Sequence, residues 1–319
     1  MGLGASSFYA FLQGVSEFLP ISSSGHLALY QIFLGLSEEE NLRYVLAAHL
    51  GTLIAVVIYL RTELFNLIRS LIFNRPSDPL QNHVREREHA ENSTVLTENL
   101  RIDQLVLAET ERASALRWIV VVIIASIPAA VVGLTMKEIV AASFQNLYLI
   151  GAGFWVTSLF LFGMYAHNKR NPYKKQLANH DHSPEKILLQ KTLLRNRIYR
   201  IALIVGMAQA LAIFPGVSRS GVTIAVASLL GVPHALAARL SFFIVIPLIG
   251  GSFWLELSTN PPQSIEAIWS LLIVIVLSAV FGLAALQLTF AALRKNIFHY
   301  FAYYLVLLGL IAMVYVTMQ

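Results

Sequence analysis

The chain has 319 residues, of which 56% are hydrophobic and 13% charged, with a formal net charge of +5 and no cysteine. So little charge cannot cover a soluble surface of this size, and continuous apolar runs without period-two alternation exclude a membrane barrel; a helical integral membrane protein remains. The missing cysteine excludes disulfides, thiolate catalysis and Cys-ligated metal, so any nucleophile is oxygen or nitrogen.

In chain order, residues 8–35 are apolar but interrupted at Pro20, Gly25 and Gly35, so no span of about 20 residues fits there. The pattern predicts two half-helices joined by a Ser-rich turn, entering the membrane and returning. No basic region followed by an apolar run and a cleavage site precedes them, so a removable signal peptide is not expected. A first crossing follows at about 45–60 and a half-apolar continuation reaches Phe73. Residues 74–117 are polar and read as a solvated loop, in which Leu96, Leu100 and Leu107 would suit a helix lying on the membrane surface. Further crossings are predicted at about 118–135, with Pro128 inside, and at 147–166. Residues 167–200 form a basic polar loop, 201–231 are interrupted again at Pro215, Gly216 and Gly221, and crossings at about 236–257, 267–292 and 298–318 complete the chain.

Positive charge orients this arrangement. Segments 61–117, 167–200 and 293–299 hold eight, nine and two Lys/Arg, which is 19 of the 23, whereas 136–146 holds one and 258–266 none. Cytoplasmic loops attract Lys and Arg, so the three basic segments are expected inside and both termini outside. The basic balance therefore implies no nucleic-acid partner. The predicted fold class is an all-α polytopic membrane protein with an inverted-topology repeat. Each half would contain a re-entrant helical hairpin and three transmembrane helices: residues 1–166, a connector 167–200, and residues 201–319. A shift of 196 residues lays Gln13 on Gln209, Phe18 on Phe214, Ser22 on Ser218, Ser24 on Ser220 and Gly25 on Gly221.

The two interruptions carry the polar chemistry. Gln13 and Glu17, four apart, share one helix face, and Glu17 could accept a proton or hold a divalent cation together with a ligand's phosphates. Ser22, Ser23, Ser24 and Gly25 offer hydroxyls and backbone N–H groups at a helix start, which suits an anion. His26 adds an imidazole, so a hydroxyl–imidazole nucleophile and base pair is available. Arg219 needs an anion, because an arginine at bilayer depth costs about 2.5–3.5 kcal/mol, and that anion could be a phosphate or Glu17 itself. His49 on the first full span could line the same pocket or serve as an interhelical histidine.

Three stretches together resemble the undecaprenyl-diphosphate phosphatase family of bacteria, also called bacitracin-resistance proteins: Gln13-Gly-Val-Ser-Glu17, Phe18-Leu-Pro-Ile-Ser-Ser-Ser-Gly-His26 and Pro215-Gly-Val-Ser-Arg-Ser-Gly-Val-Thr223. The resemblance covers almost the whole chain; many members carry Glu where Gln13 stands. It implies removal of the terminal phosphate from a C55 polyprenyl diphosphate lipid, a required divalent cation (Mg²⁺ or Ca²⁺), and a site opening to the outer face of the bacterial cytoplasmic membrane. The expected mechanism has Ser23 as in-line nucleophile, His26 or Glu17 as base and Arg219 on the phosphate. Ser22, Ser24, Ser218, Ser220 and Thr223, with backbone groups at Gly25, Gly216 and Gly221, would hold phosphate oxygens, and Glu17 with Gln13 the cation. A one-step variant has His26 activate water. Broken helices meeting at the midplane also suit a transporter or flippase of polyprenyl phosphate, which remains the alternative.

Overall fold

The computed structural model describes residues 3–35, 38–72, 111–170, 184–259 and 265–318. Within them are twelve α-helices and no strand: α1 (Leu3–Phe18), α2 (Ser23–Leu34), α3 (Glu38–Tyr59), α4 (Arg61–Ile72), α5 (Glu111–Thr135), α6 (Lys137–Ser143), α7 (Leu147–Arg170), α8 (Pro184–Leu211), α9 (Arg219–Leu229), α10 (His234–Thr259), α11 (Ile265–Arg294) and α12 (Tyr300–Thr317). Stretches of five, in α5, α7, α10, α11 and α12, are long and apolar enough to cross a membrane, and the broken pair α3 and α4 would make a sixth. The chain is a multi-pass helical membrane protein. Its exposed side chains agree, since Val276, Val280, Leu288, Leu307, Leu310 and Ile311 point outward from α11 and α12, the arrangement lipid permits and water does not.

Two compact units are present. Residues 60–121 form one, of which α4 and the start of α5 are described; the rest of the chain forms the other and contains every helix that follows the argument below. In that larger unit α1 is packed against α11 and α3, α7 against α12, and the short α9 lies among α7, α8 and α10. Every residue of α9 from Ser220 to Ser228 is buried.

Small residues and hydroxyls set these contacts, as expected where lipid supplies no hydrophobic drive between helices. A Cβ on Gly51 of α3 would lie 2.3 Å from the Ile275 carbonyl of α11, and one on Gly14 of α1 would lie 2.7 Å from Phe281 Cβ. Ser278 Oγ donates to Ala10 O at 3.2 Å and Thr289 Oγ1 to Phe18 O at 3.0 Å, tying α11 to α1 at two levels. On the other side, Trp155 Nε1 donates to Val306 O at 3.2 Å and Ser158 Oγ to Ala302 O at 3.1 Å, tying α7 to α12.

Of the expected interruptions, those at Pro20, Gly35, Pro215 and Gly216 fall between helices, whereas Gly25 and Gly221 lie inside α2 and α9, each in the first turn. Pro20, which has no N–H and crowds the preceding turn, separates α1 from α2. Pro215 and Gly216, the latter at φ +85°, separate α8 from α9. A further expectation needs correction. The connector 167–200 is not a loop throughout: α7 runs to Arg170 and α8 begins at Pro184, because proline is accepted in the first turn of a helix and Lys, Leu and Gln extend one. The helix that carries the first crossing begins at Glu38, but its apolar stretch runs from Arg43 to Tyr59, close to the expected 45–60; 136–146 contains the short α6. The surface helix proposed around Leu96, Leu100 and Leu107 lies outside the described residues.

Gly51→Val forces a side chain into the Ile275 carbonyl, and overpacking of this kind costs about 1–3 kcal/mol. The variant should melt well below the unaltered protein in detergent. Gly163→Ala, with open space at its Cβ, should melt at or slightly above it.

Candidate active site

The two breaks meet. A Cβ on Gly25 would come within 2.6 Å of the Phe154 ring and 2.9 Å of Gly216 Cα, and one on Gly153 within 2.4 Å of Pro215 O. Glycine at these points lets α2, α7 and the second break approach at backbone distance. Across the junction Ser220 Oγ donates to Leu19 O at 3.1 Å, and Ser218 N donates to Thr157 Oγ1 at 2.8 Å.

Both short helices are capped alike. Ser22 Oγ accepts from Gly25 N at 3.2 Å and Ser218 Oγ from Gly221 N at 3.1 Å. Each cap also contacts the hydroxyl two residues on, Ser24 at 3.2 Å and Ser220 at 3.3 Å. A serine at the N-cap satisfies one of the unpaired donors of the first turn. The caps differ in backbone, with Ser218 extended at φ −79° and Ser22 at φ +67°.

At the junction sits the Glu17 carboxylate, 7% exposed. Arg219 Nη2 donates to its Oε1 at 2.7 Å. Ser23 Oγ donates to Oε2 at 2.6 Å and Gln13 Nε2 to the same oxygen at 3.0 Å. His49 Nε2 lies 3.8 Å from Oε2, while its Nδ1–H donates to Val45 O at 2.7 Å. The other arm of the guanidinium, Nη1, donates to Ser241 O at 3.1 Å.

A cavity of about 280 Å³ opens beside this cluster. Its polar wall is Glu17, Ser23, Ser24, His49, Ser218 and Arg219. The apolar wall comes from Val45 and Leu46 on α3, and from Val245, Leu248 and Ile249 on α10. An anionic head group with an apolar tail is the ligand class such a lining fits.

Of the residues singled out in the sequence, Glu17, Ser23, Ser24, His49, Ser218 and Arg219 come together on this cavity. Ser22, Ser220 and Thr223 were expected to hold phosphate; their hydroxyls are bonded within the protein and none of the three lines the cavity. Ser22 caps α2, Ser220 bonds Leu19 O, and Thr223 Oγ1 donates to Arg219 O at 2.7 Å and lies 2.7 Å from Ser241 Oγ. The N–H groups of Gly25 and Gly221 are taken by the caps, and Gly216 contributes close packing. His26 turns elsewhere: its Nδ1 lies 2.8 Å from Ser22 O and its Nε2 2.6 Å from Tyr304 Oη. The apolar wall, Ser241, Thr157 and Tyr304 carried no signal in the sequence, since each is an ordinary residue within a helix.

Among the described residues no three His, Asp or Glu side chains converge as a metal set. A hard cation, however, is commonly held by one carboxylate plus substrate phosphates. Gln13 supports that mode: its Oε1 is buried beside Glu17 and has no hydrogen-bond partner, and an orphaned carbonyl oxygen is a natural cation ligand.

The chain matches the family model described as bacitracin resistance protein BacA over residues 6–311. Among similar proteins, the undecaprenyl-diphosphatase of Korarchaeum cryptofilum is 29% identical over 97% of this chain and 98% of its own. That of Elusimicrobium minutum is 31% identical over 97% and 96%, and that of Desulforapulum autotrophicum 32% identical over 95% and 94%.

Arg219→Ala strands Glu17 in the interior, and breaking a buried pair from one side costs about 3–5 kcal/mol. The variant should be strongly destabilised in detergent. Adding Glu17→Gln, which removes the stranded charge, should recover most of the loss; independent, additive losses would contradict the pairing.

Proposed function

The chain belongs to the bacitracin resistance protein BacA family, and from that membership and the cluster around Glu17 we propose that it is an integral membrane phosphatase acting on undecaprenyl diphosphate. It releases inorganic phosphate and returns undecaprenyl phosphate, the lipid carrier of cell-wall synthesis, a turnover that fits the bacitracin resistance in the family's name. The observation that carries the reading is the Ser23 hydroxyl held 2.6 Å from a carboxylate whose other oxygen binds Arg219. A nucleophile, a proton acceptor and a phosphate-binding cation thus share one small cavity.

The diphosphate enters beside Ser24, Ser218 and Arg219, and its prenyl chain leaves along the apolar wall of α3 and α10. The guanidinium fork suits a phosphate, so the incoming anion competes with Glu17 for Arg219. Drawing the guanidinium toward the phosphate frees the carboxylate to take the Ser23 proton. Ser23 Oγ then forms a bond to the terminal phosphorus as the bond from that phosphorus to the bridging oxygen breaks, and undecaprenyl phosphate leaves with the proton that Glu17 took from Ser23, which restores the carboxylate. Water, giving its proton to the carboxylate, attacks the phosphoserine; phosphate departs and Ser23 recovers its hydrogen. Of the two candidate bases, geometry supports Glu17, because His26 is directed to Ser22 and Tyr304. A divalent cation, Mg²⁺ or Ca²⁺, would be held by Glu17 and Gln13 Oε1 with the substrate's own oxygens. When bound it supplies neutralisation of charge on the phosphates.

With this reading goes an inverted repeat, residues 1–166 and 201–319, whose broken pairs α1–α2 and α8–α9 dip into the membrane as re-entrant hairpins. It is supported by the matched caps of Ser22 and Ser218, 196 positions apart, and by the odd number of crossings assigned to each half. The termini and the cavity mouth face the outside of the bacterial cytoplasmic membrane, and the basic segments face the cytoplasm.

Purified protein in detergent should release phosphate from undecaprenyl diphosphate in a cation-dependent manner. Ser23→Ala and Glu17→Gln should each lose about 10²–10⁴-fold in kcat, the range supplied by positioned proton transfer. Rapid quench with labelled substrate should trap phosphoserine. Substantial turnover by Ser23→Ala with no trapped phosphoserine would mean water attacks directly. If a folded, lipid-binding preparation releases no phosphate and instead moves polyprenyl phosphate across liposomes, the protein is a carrier.

A further inference from the structure

Tyr304 lies on α12, outside all three sequence motifs, yet its hydroxyl makes one of the shortest polar contacts near the site, 2.6 Å to His26 Nε2. The tyrosine is well placed to do so. The bonds from Trp155 to Val306 O and from Ser158 to Ala302 O pin α12 to α7 on either side of it. The two rings are stacked, with centroids 5.8 Å apart and planes 12° from parallel, and the edge of Phe154 closes the third side at 5.6 Å.

The hydrogen bonds fix the form of the imidazole. A carbonyl oxygen only accepts, so the Nδ1 that lies 2.8 Å from Ser22 O carries the hydrogen. In the neutral ring Nε2 then bears the lone pair and accepts from the Tyr304 hydroxyl. With that lone pair covered, and with His26 not among the residues lining the cavity, the imidazole is poorly set to take a proton from Ser23.

What it does hold is the turn. Ser22 is one of two non-glycine residues with positive φ among those described, at +67°, a conformation that persists only where surroundings over-determine it. Its carbonyl receives both the His26 side chain at 2.8 Å and the His26 backbone N–H at 3.2 Å. The next residue is Ser23, whose hydroxyl must meet Glu17.

We propose that Tyr304 is a positioning residue for this site: its hydroxyl holds His26 as the Nδ1–H tautomer, and His26 in turn clamps the strained Ser22 carbonyl so that Ser23 faces Glu17. The kinetic consequence rests on the phosphatase reading given above; the hydrogen-bond chain does not.

Two measurements test it. In protein labelled with ¹⁵N-histidine, the His26 signals, identified by their disappearance in His26→Asn, should have the pattern of a ring protonated at Nδ1. Tyr304→Phe should move them toward the Nε2–H form that free imidazole prefers. In phosphate-release assays Tyr304→Phe should lower kcat by about 10- to 100-fold, the scale of a small misplacement of reacting groups, with KM within about twofold. His26→Asn, whose amide can donate near the position of Nδ1, should keep more kcat than His26→Gln or His26→Ala. An Nε2–H ring in the unaltered protein, an unchanged kcat in Tyr304→Phe, or His26→Asn as inactive as His26→Ala would each overturn the proposal. If the unaltered protein releases no phosphate, the phosphatase reading fails, and the spectrum alone decides for or against the clamp.

Discussion

A carboxylate and a guanidinium 202 residues apart in the chain, Glu17 and Arg219, meet at 2.7 Å inside a protein whose helices face lipid. Neither charge is tolerable alone at that depth, since an isolated buried ion costs several kcal/mol and lipid offers no donor or acceptor in exchange. The end of α1 and the start of α9 therefore have to lie side by side, and the rest of the packing accommodates that demand. Gly25, Gly153 and Gly216 let the backbones close to contact. Ser220 and Thr157 cover the exposed backbone groups that the broken helices leave behind, and the capping serines cover others.

In the proposed reaction the same pair does chemical work. Glu17 accepts hydrogen bonds from Arg219, Ser23 and Gln13 at once, so its oxygens are aimed before any ligand arrives. Preorganised dipoles and charges of this kind contribute to catalysis because they need no reorganisation during the reaction. In that reaction Arg219 exchanges the carboxylate for a phosphate, so the anion that needs the guanidinium is also the one that releases Glu17. The ion pair is not sealed off by packing on every side. It forms part of the cavity wall, beside Ser24, Ser218 and His49.

Much of this was legible in the sequence, and the reasons are specific. Pro20 and the Pro215-Gly216 step announce helix breaks because proline lacks a donor and glycine relieves a positive φ. Glu17 and Arg219 stand out because ionisable groups in apolar runs are rare without a partner. What could not be read is direction. Six hydroxyls in two short motifs look equivalent as text, yet Ser22, Ser220 and Thr223 turn into the protein while Ser23, Ser24 and Ser218 line the cavity. That choice depends on which helix lies behind each turn. For the same reason His26 reads as a base for a nearby serine, and only the arrival of Tyr304 from α12, 278 residues away, turns the ring aside. Helix α8 was missed at its start because Lys and Arg, counted as marks of a loop, are also good helix formers.

Comparing positions 196 apart separates scaffold from chemistry. The pairs that match, Phe18 with Phe214, Ser22 with Ser218, Ser24 with Ser220 and Gly25 with Gly221, form the breaks and caps. The pairs that differ include Ser23 against Arg219 and Glu17 against Ile213, and Ser23, Arg219 and Glu17 bring a hydroxyl, a guanidinium and a carboxylate to the cavity. Gln13 and Gln209 match in type but not in circumstance. Gln13 donates to Glu17 at 3.0 Å, whereas Gln209, four residues before Ile213, is buried with neither end of its amide hydrogen-bonded. A buried amide without partners is uncommon. Gln209 corresponds in register to the residue that donates to a carboxylate in the first helix pair, and the second pair has an isoleucine at the carboxylate's position. The two pairs thus present similar frames to one cavity, and their differences at two positions place a hydroxyl and a carboxylate on one frame and a single guanidinium on the other.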